Sequence, residues 1–145
     1  MATGVEYKSS NESKARHRVL IVEDELFIAL DLEETVKAMG FDVAGLASGQ
    51  DQALKLASLA DIAFVDVNLS DGSGVEVARV AQGQGIPVLF VTGNCPVEAR
   101  ALATGCLAKP YPQRDLLAAI NAIEAVVEGA KVPKRLPGSF TLFSA

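Results

Sequence analysis

Ala63-Phe64-Val65-Asp66-Val67-Asn68-Leu69-Ser70-Asp71-Gly72-Ser73-Gly74 is the stretch whose reading decides the fold. An apolar run stops abruptly on Asp66, a polar loop follows, and Ser73 between two glycines opens a helix. Ile62 to Val65 reads as a buried strand with Asp66 at its carboxyl end. In open α/β sheets that end faces the crevice where ligands bind. A carboxylate there binds a cation, accepts hydrogen bonds or reacts, so the other strands are read for groups that could join it.

Working outward, strand-like and helix-like segments alternate. Arg18 to Val22 is a short β-branched run that leads straight into Glu23-Asp24-Glu25. Three carboxylates at the end of a buried strand repel and raise one another's pKa, and a bound cation relieves both effects. Leu26 to Met39 carries apolar residues near helical spacing and is closed by Gly40. Phe41 to Ala47 reads as a second strand and Gln50 to Leu59 as a second helix. The third helix starts at Ser73 and reaches Val80 or Ala81. Pro87 to Val91 is a fourth strand ending at Thr92-Gly93-Asn94, and Pro96 suits the first turn of a short helix to about Ala103. Cys106 to Ala108 is a minimal fifth strand ending at Lys109-Pro110, and Gln113 to Val127 is the last helix. Continuous apolar strands alternating with helices predict a parallel sheet covered on both faces. The expected architecture is α/β: a flavodoxin-like (βα)5 three-layer sandwich with five parallel strands in the order 2-1-3-4-5.

The chain has 145 residues, the size of one domain. The reading divides it into a flexible polar leader (1–16), the domain itself (17–128) and a tail (129–145). The net charge of −5, with no basic cluster, argues against nucleic-acid binding, where phosphate neutralisation supplies most of the affinity. No apolar run approaches the roughly 20 residues of a membrane span. The N-terminus lacks an apolar signal core, so a cytoplasmic protein is expected. Cys95 and Cys106 lack metal-ligand spacing and are expected to be reduced there. The single histidine, His17, argues against histidine-based catalysis or a His-rich metal site.

The strand ends carry the chemistry. Strand one delivers Glu23 and Asp24, strand three Asp66, strand four Thr92 and strand five Lys109. In a parallel sheet these ends lie at one edge. Oxygen ligands that leave room for waters suit Mg2+ rather than Zn2+. With the repulsion relieved, Asp66 is placed to attack a phosphoryl group, a recognised form of covalent catalysis. The product's oxygens need cations and donors, which Mg2+, Lys109 and the Thr92 hydroxyl supply. Taken singly, Asp24 or Glu23 reads as a helix cap, Asp66 as a loop cap, Thr92 as a strand-end hydroxyl and Lys109 as a solvated lysine. Their joint placement is what favours a site.

With these residues in hand, the chain resembles the receiver domain of two-component response regulators. The matching pieces are Val19 to Glu25, Asp66 in Val65-Asp66-Val67-Asn68-Leu69, Asp71 to Gly74, Val91-Thr92-Gly93 and Leu107-Ala108-Lys109-Pro110, spanning about residues 18 to 128. The resemblance implies that Asp66 is the phospho-acceptor. It implies that Asp24 and Asp66 ligate Mg2+ directly, with Glu23 acting through water and Asn68 through its backbone carbonyl. Thr92 and Lys109 would contact the phosphoryl group, and the Lys109–Pro110 peptide would be cis, which proline permits at modest cost. The implied donor is a sensor histidine kinase or histidine phosphotransfer protein, and the protein would be no turnover enzyme, catalysing only its own phosphorylation and dephosphorylation.

Too few residues follow Val127 for a second domain, so the expectation is a stand-alone receiver signalling to a downstream regulator protein by contact. In many members of that family an aromatic residue near the start of the fifth strand swings inward on activation. Here Cys106 holds that place, and a small thiol cannot make the same swing. The segment Thr92 to Gly105, poor in large apolar residues, is expected to be weakly held and to do the switching. The last helix is apolar beyond the stripe Leu116, Ile120, Ile123, Val127, so either the tail (Phe140 to Phe143) or a partner covers it, a homodimer included. The alternative function is a receiver-like binding module that works without phosphate. An aspartyl phosphohydrolase would carry its nucleophile after the first strand with a second acid two residues on, whereas here that strand ends Glu23-Asp24 and Asn68 follows Asp66 by two; a dinucleotide-binding domain would show G-x-G-x-x-G after the first strand, and none is there.

Overall fold

The structure is a computed structural model and describes residues 17–143; the leader expected at 1–16 lies outside the described residues. The strands of the main sheet are β1 (Arg18–Val22), β2 (Asp42–Ala47), β3 (Ile62–Val65), β4 (Val88–Thr92), β5 (Gly105–Ala108) and β6 (Phe140–Leu142). The α-helices are α1 (Leu26–Ala38), α2 (Gln50–Leu56), α3 (Gly74–Gly83) and α4 (Gln113–Val127). The sheet order is β2-β1-β3-β4-β5-β6. The first five strands are parallel in the expected order. Successive residues of each strand feed opposite faces, as pleating requires. Val19, Ile21, Phe64, Leu89, Val91 and Leu107 pack against α1 and α4. Leu20, Val22, Ala63, Val65, Val88, Phe90 and Cys106 pack under α2 and α3. Both faces are buried, so the strands are apolar throughout.

The second helix, expected to reach Leu59, ends as an α-helix at Leu56 and closes with a 3-10 turn, Ala57–Leu59. Three larger features depart from the sequence reading. The sheet has six strands, not five, because the tail returns and β6 pairs antiparallel with β5, Cys106 opposite Thr141. Gly105 makes this possible: a Cβ there would lie 2.8 Å from both Phe140 Cε1 and the Thr141 carbonyl oxygen. Val132, Leu136 and Leu142 of the tail join the cluster that contains α4, and the Ser139 hydroxyl donates to Asp115 Oδ2 at 2.6 Å. Tail residues therefore supply part of the cover that α4 demanded.

The segment after β4 is a 3-10 helix, Val97–Leu102, rather than an α-helix. So short a piece, begun at Pro96, adopts the tighter turn commonly used for connectors. Lastly, Cys95 and Cys106 are not the free thiols expected but form a disulfide. The chain leaving β4 folds back beside β5, bringing the two Cα atoms to 6.1 Å, within the range a disulfide spans.

α3 begins where the opening stretch placed a helix start. The Ser73 side chain caps it by accepting from Val75 N at 3.1 Å. Gly74 packs against the Asp66 carbonyl, so close that any Cβ would collide with it. The loop carrying Asp66 is thus held against the helix that follows.

Candidate functional site

Glu23, Asp66 and Thr92 are buried at the carboxyl edge of the sheet, while Asp24 and Lys109 are half-buried beside them. Ligand-type oxygens of Glu23, Asp24 and Asp66 all lie within 4.8 Å of one another. Lys109 Nζ donates to Glu23 Oε1 at 2.7 Å and to Asp66 Oδ2 at 3.1 Å. It also stands 3.8 Å from Glu25 Oε2. The Lys109–Pro110 peptide is cis, and Lys109 N donates to the Thr92 carbonyl at 2.8 Å, tying the ends of β4 and β5 together. Asn68 is exposed, and its N–H donates to Asp66 Oδ1 at 3.2 Å. All six residues expected from the sequence therefore lie at one edge. The Thr92 hydroxyl is fully buried and has no hydrogen-bond partner among the described residues.

The electrostatics follow from burial. Desolvation pushes the Glu23 carboxyl up, and nearby Asp66 adds to this, while its bonds to Lys109 and the Glu25 amide pull the other way without cancelling it. Burial opposes the Lys109 charge, but its bonds to Glu23 and Asp66 outweigh that and hold its pKa above the ordinary value of 10.5. The site thus holds its ammonium firmly and strains against its own carboxylates. Three carboxylates against one close cation leave room for a divalent cation of the hard-oxygen type.

Several residues that shape the site escaped the sequence reading. Ser70 clasps Asp24 through both its amide and its hydroxyl, each 3.0 Å from Oδ2. Asp71 Oδ1 accepts from Gln50 N at 2.9 Å, and Gln50 Oε1 accepts from Ser73 N at 2.8 Å. These bonds lock a two-residue hairpin (Asn68–Leu69 with Gly72–Ser73) to the start of α2. Asp71-Gly72 is a turn signal readable in the sequence; the Gln50 and Ser70 partners are not.

A cavity of about 420 Å³ lies beside the carboxylates rather than over them, lined by Phe27, Ile28, Asp31, Lys109, Pro110 and Tyr111. Burial, then the charge of Asp31, raises the Tyr111 phenol above its ordinary value of 10.0. A group so raised adds stability that is fully present below pH 10.0 and lost as pH climbs through the folded-state value. In an absorbance titration, Tyr111→Phe should remove a phenol that ionises above 10.0; removal of one ionising at or below it would contradict this placement.

A doubly covered parallel sheet with acidic residues after its first and third strands and a lysine after its fifth defines a receiver-type domain. The chain matches the response regulator receiver domain family over residues 19–121 and belongs to that family. It is 32% identical over 112 residues to the transcriptional regulatory protein PdtaR of Mycobacterium tuberculosis, covering 72% of this chain and 55% of that protein. It is 34% identical over 115 residues to the cell cycle response regulator CtrA of Brucella ovis, covering 73% and 49%. The chain thus spans about half the length of these curated relatives. Among solved structures it is similar to a CheY-like receiver domain protein from Methanospirillum hungatei, with a TM-score of 0.67 and 27% identity over 78% of this chain and 97% of that one. It is also similar to the receiver domain of a modulated diguanylate cyclase from Desulfovibrio desulfuricans, with a TM-score of 0.67 and 32% identity over 77% and 95%.

Proposed function

We propose that this protein is a phosphorylation-dependent signalling receiver in which Asp66 accepts a phosphoryl group. The observation that carries this reading is the pairing of a carboxylate cluster with a buried, unpartnered Thr92 hydroxyl at the end of the adjacent strand. The cluster has the donor chemistry of a Mg2+ site, which Asp24 and Asp66 would hold directly, Glu23 through water and Asn68 through its carbonyl. When bound, Mg2+ would offset the charge of the carboxylates and of the phosphoryl oxygens. An Asp66 carboxylate oxygen attacks phosphorus, and the bond from phosphorus to the donor's histidine nitrogen breaks. That nitrogen keeps the electron pair and leaves as imidazole. Lys109 and the Thr92 hydroxyl then donate charge-assisted hydrogen bonds to the new oxygens.

The donor in this reading is a sensor histidine kinase or a histidine phosphotransfer protein. Phe27 (86% exposed) lines a cavity with Lys109, Leu26 (63% exposed) lines another with Glu23 and Asp24, and the two offer apolar ground for it at the start of α1. Output passes by contact to a downstream regulator protein, with homodimerisation through α4 as one route and no direct nucleic-acid contact. The setting is the cytoplasm, and no helix among the described residues is long and apolar enough to cross a membrane.

The test is incubation with acetyl phosphate and Mg2+, followed by intact mass measurement beside Asp66→Ala. One added phosphoryl group in the parent, none in the variant and none without Mg2+ is expected. No addition to the parent, with Mg2+ binding established, would point instead to a binding module that works without phosphate.

A further inference from the structure

We infer that Cys95 and Cys106 are a reversible redox site that locks the segment between β4 and β5 when oxidised and frees it when reduced. Its meaning for signalling rests on the receiver reading above.

The two cysteines are unlike in access. Cys106 is fully buried in the sheet, level with Phe90 on β4. Cys95 is half-buried and lines two surface cavities. One, of about 340 Å³, is shared with Asn68 and Asn94 and so opens beside Asp66. The other, of about 170 Å³, is shared with Arg100 and Phe143. A small thiolate can therefore approach the disulfide at Cys95, while Cys106 is shielded.

Thr104 and Gly105 are paired into the sheet and Arg100 lies over Phe143, but the turn before them has few large buried side chains to hold it. Between the cysteines only Pro96, Ala99, Ala103, Thr104 and Gly105 are buried, and Val97 is 71% exposed. Small side chains bury little apolar area, so packing contributes little to fixing the turn. The bond ties this turn to the strand that carries Lys109 and begins three residues beyond Thr92. The bond therefore restrains the backbone that follows the Thr92 hydroxyl. In a reducing compartment the disulfides that do form are usually transient, catalytic or sensing.

The exchange balances without any further reagent. A small thiolate attacks Cys95 Sγ, the Sγ–Sγ bond breaks, and Cys106 Sγ leaves with the electron pair and takes a proton. A second thiol molecule resolves the mixed disulfide at Cys95, giving two protein thiols and one small disulfide. In the reverse direction a small disulfide such as glutathione disulfide accepts two electrons and two protons from the pair.

The experiment equilibrates the full chain in glutathione buffers of different ratio and counts thiols by alkylation and intact mass. Amide exchange of residues 93–104 is then measured in each form. Exchange about tenfold or more faster in the dithiol form is expected, since closing the loop restricts local opening. Cys95→Ser, which leaves Cys106 packed, should match the dithiol form in every buffer. Acetyl phosphate should change exchange in this segment in the dithiol form only. Equal exchange in the two redox forms, a bond that does not respond to the glutathione ratio, or an equal response of both forms to acetyl phosphate would overturn the inference. If acetyl phosphate modifies neither form, the receiver reading fails instead, and the comparison of redox forms still decides the redox site.

Discussion

Replacing Lys109 with methionine should destabilise the fold by about 3 kcal/mol, the low end of what removing one partner of a buried ion pair costs. The lysine side chain is 18% exposed, and its partners are deeper: the Glu23 side chain is 1% exposed and the Asp66 side chain 9%. Methionine keeps the length of the stem and removes the charge, so two buried carboxylates face each other without their ammonium. The low end applies because Glu23, already pushed upward by burial, can take a proton and shed its charge. The pH dependence carries a definite sign. In the variant a carboxyl raised still further opposes folding while it is ionised, and that opposition lifts as pH falls toward and below its folded-state value. The loss should therefore be greatest at neutral pH and shrink as the solution is acidified toward 4.5, the ordinary glutamate value. Urea unfolding at several pH values measures it. The double variant Glu23→Gln/Lys109→Met should lose less than the sum of the two single changes, because the pair shares one interaction. Additive losses would show that Lys109 does not stabilise through Glu23.

The second large effect is expected far from the carboxylates. Phe140→Ala should cost about 3 kcal/mol, as truncating a buried aromatic commonly does. Phe140 is 5% exposed, belongs to the cluster that includes α1 and α4, and sits opposite Leu107 on β5. Its neighbour Thr141 points away and is exposed. Thr141→Ala is thus the control and should stay within about 0.5 kcal/mol of the parent. Equal small losses for both would mean that the tail adds nothing to the folded core.

Much of this arrangement was legible before any coordinates. Asp66, Glu23, Asp24, Thr92 and Lys109 each follow an apolar run, and parallel strands bring such positions to one edge whatever the loops do. What was not legible depends on how loops lie. The Ser70–Asp24 clasp joins residues 46 apart through the conformation of one hairpin. The disulfide depends on where the chain goes after Thr92, and an 11-residue separation in sequence says nothing of that. β6 is three residues long, and Pro137-Gly138 before it marks a turn without saying which strand the chain will meet.

That short return strand has a consequence for the molecule in a crowded solution. A five-stranded sheet would leave the outer backbone of β5 with unpaired amides and carbonyls along its length, an open template for another chain. Here the Ala108 amide is spent on Ser139 and the Thr104 carbonyl on Phe143, both at 2.8 Å. The border now shown to other molecules on that side is only three residues, Phe140 to Leu142. So brief an edge gives a neighbour little to zip onto, and the tail acts as a selvedge that keeps the sheet from growing by accretion on that side.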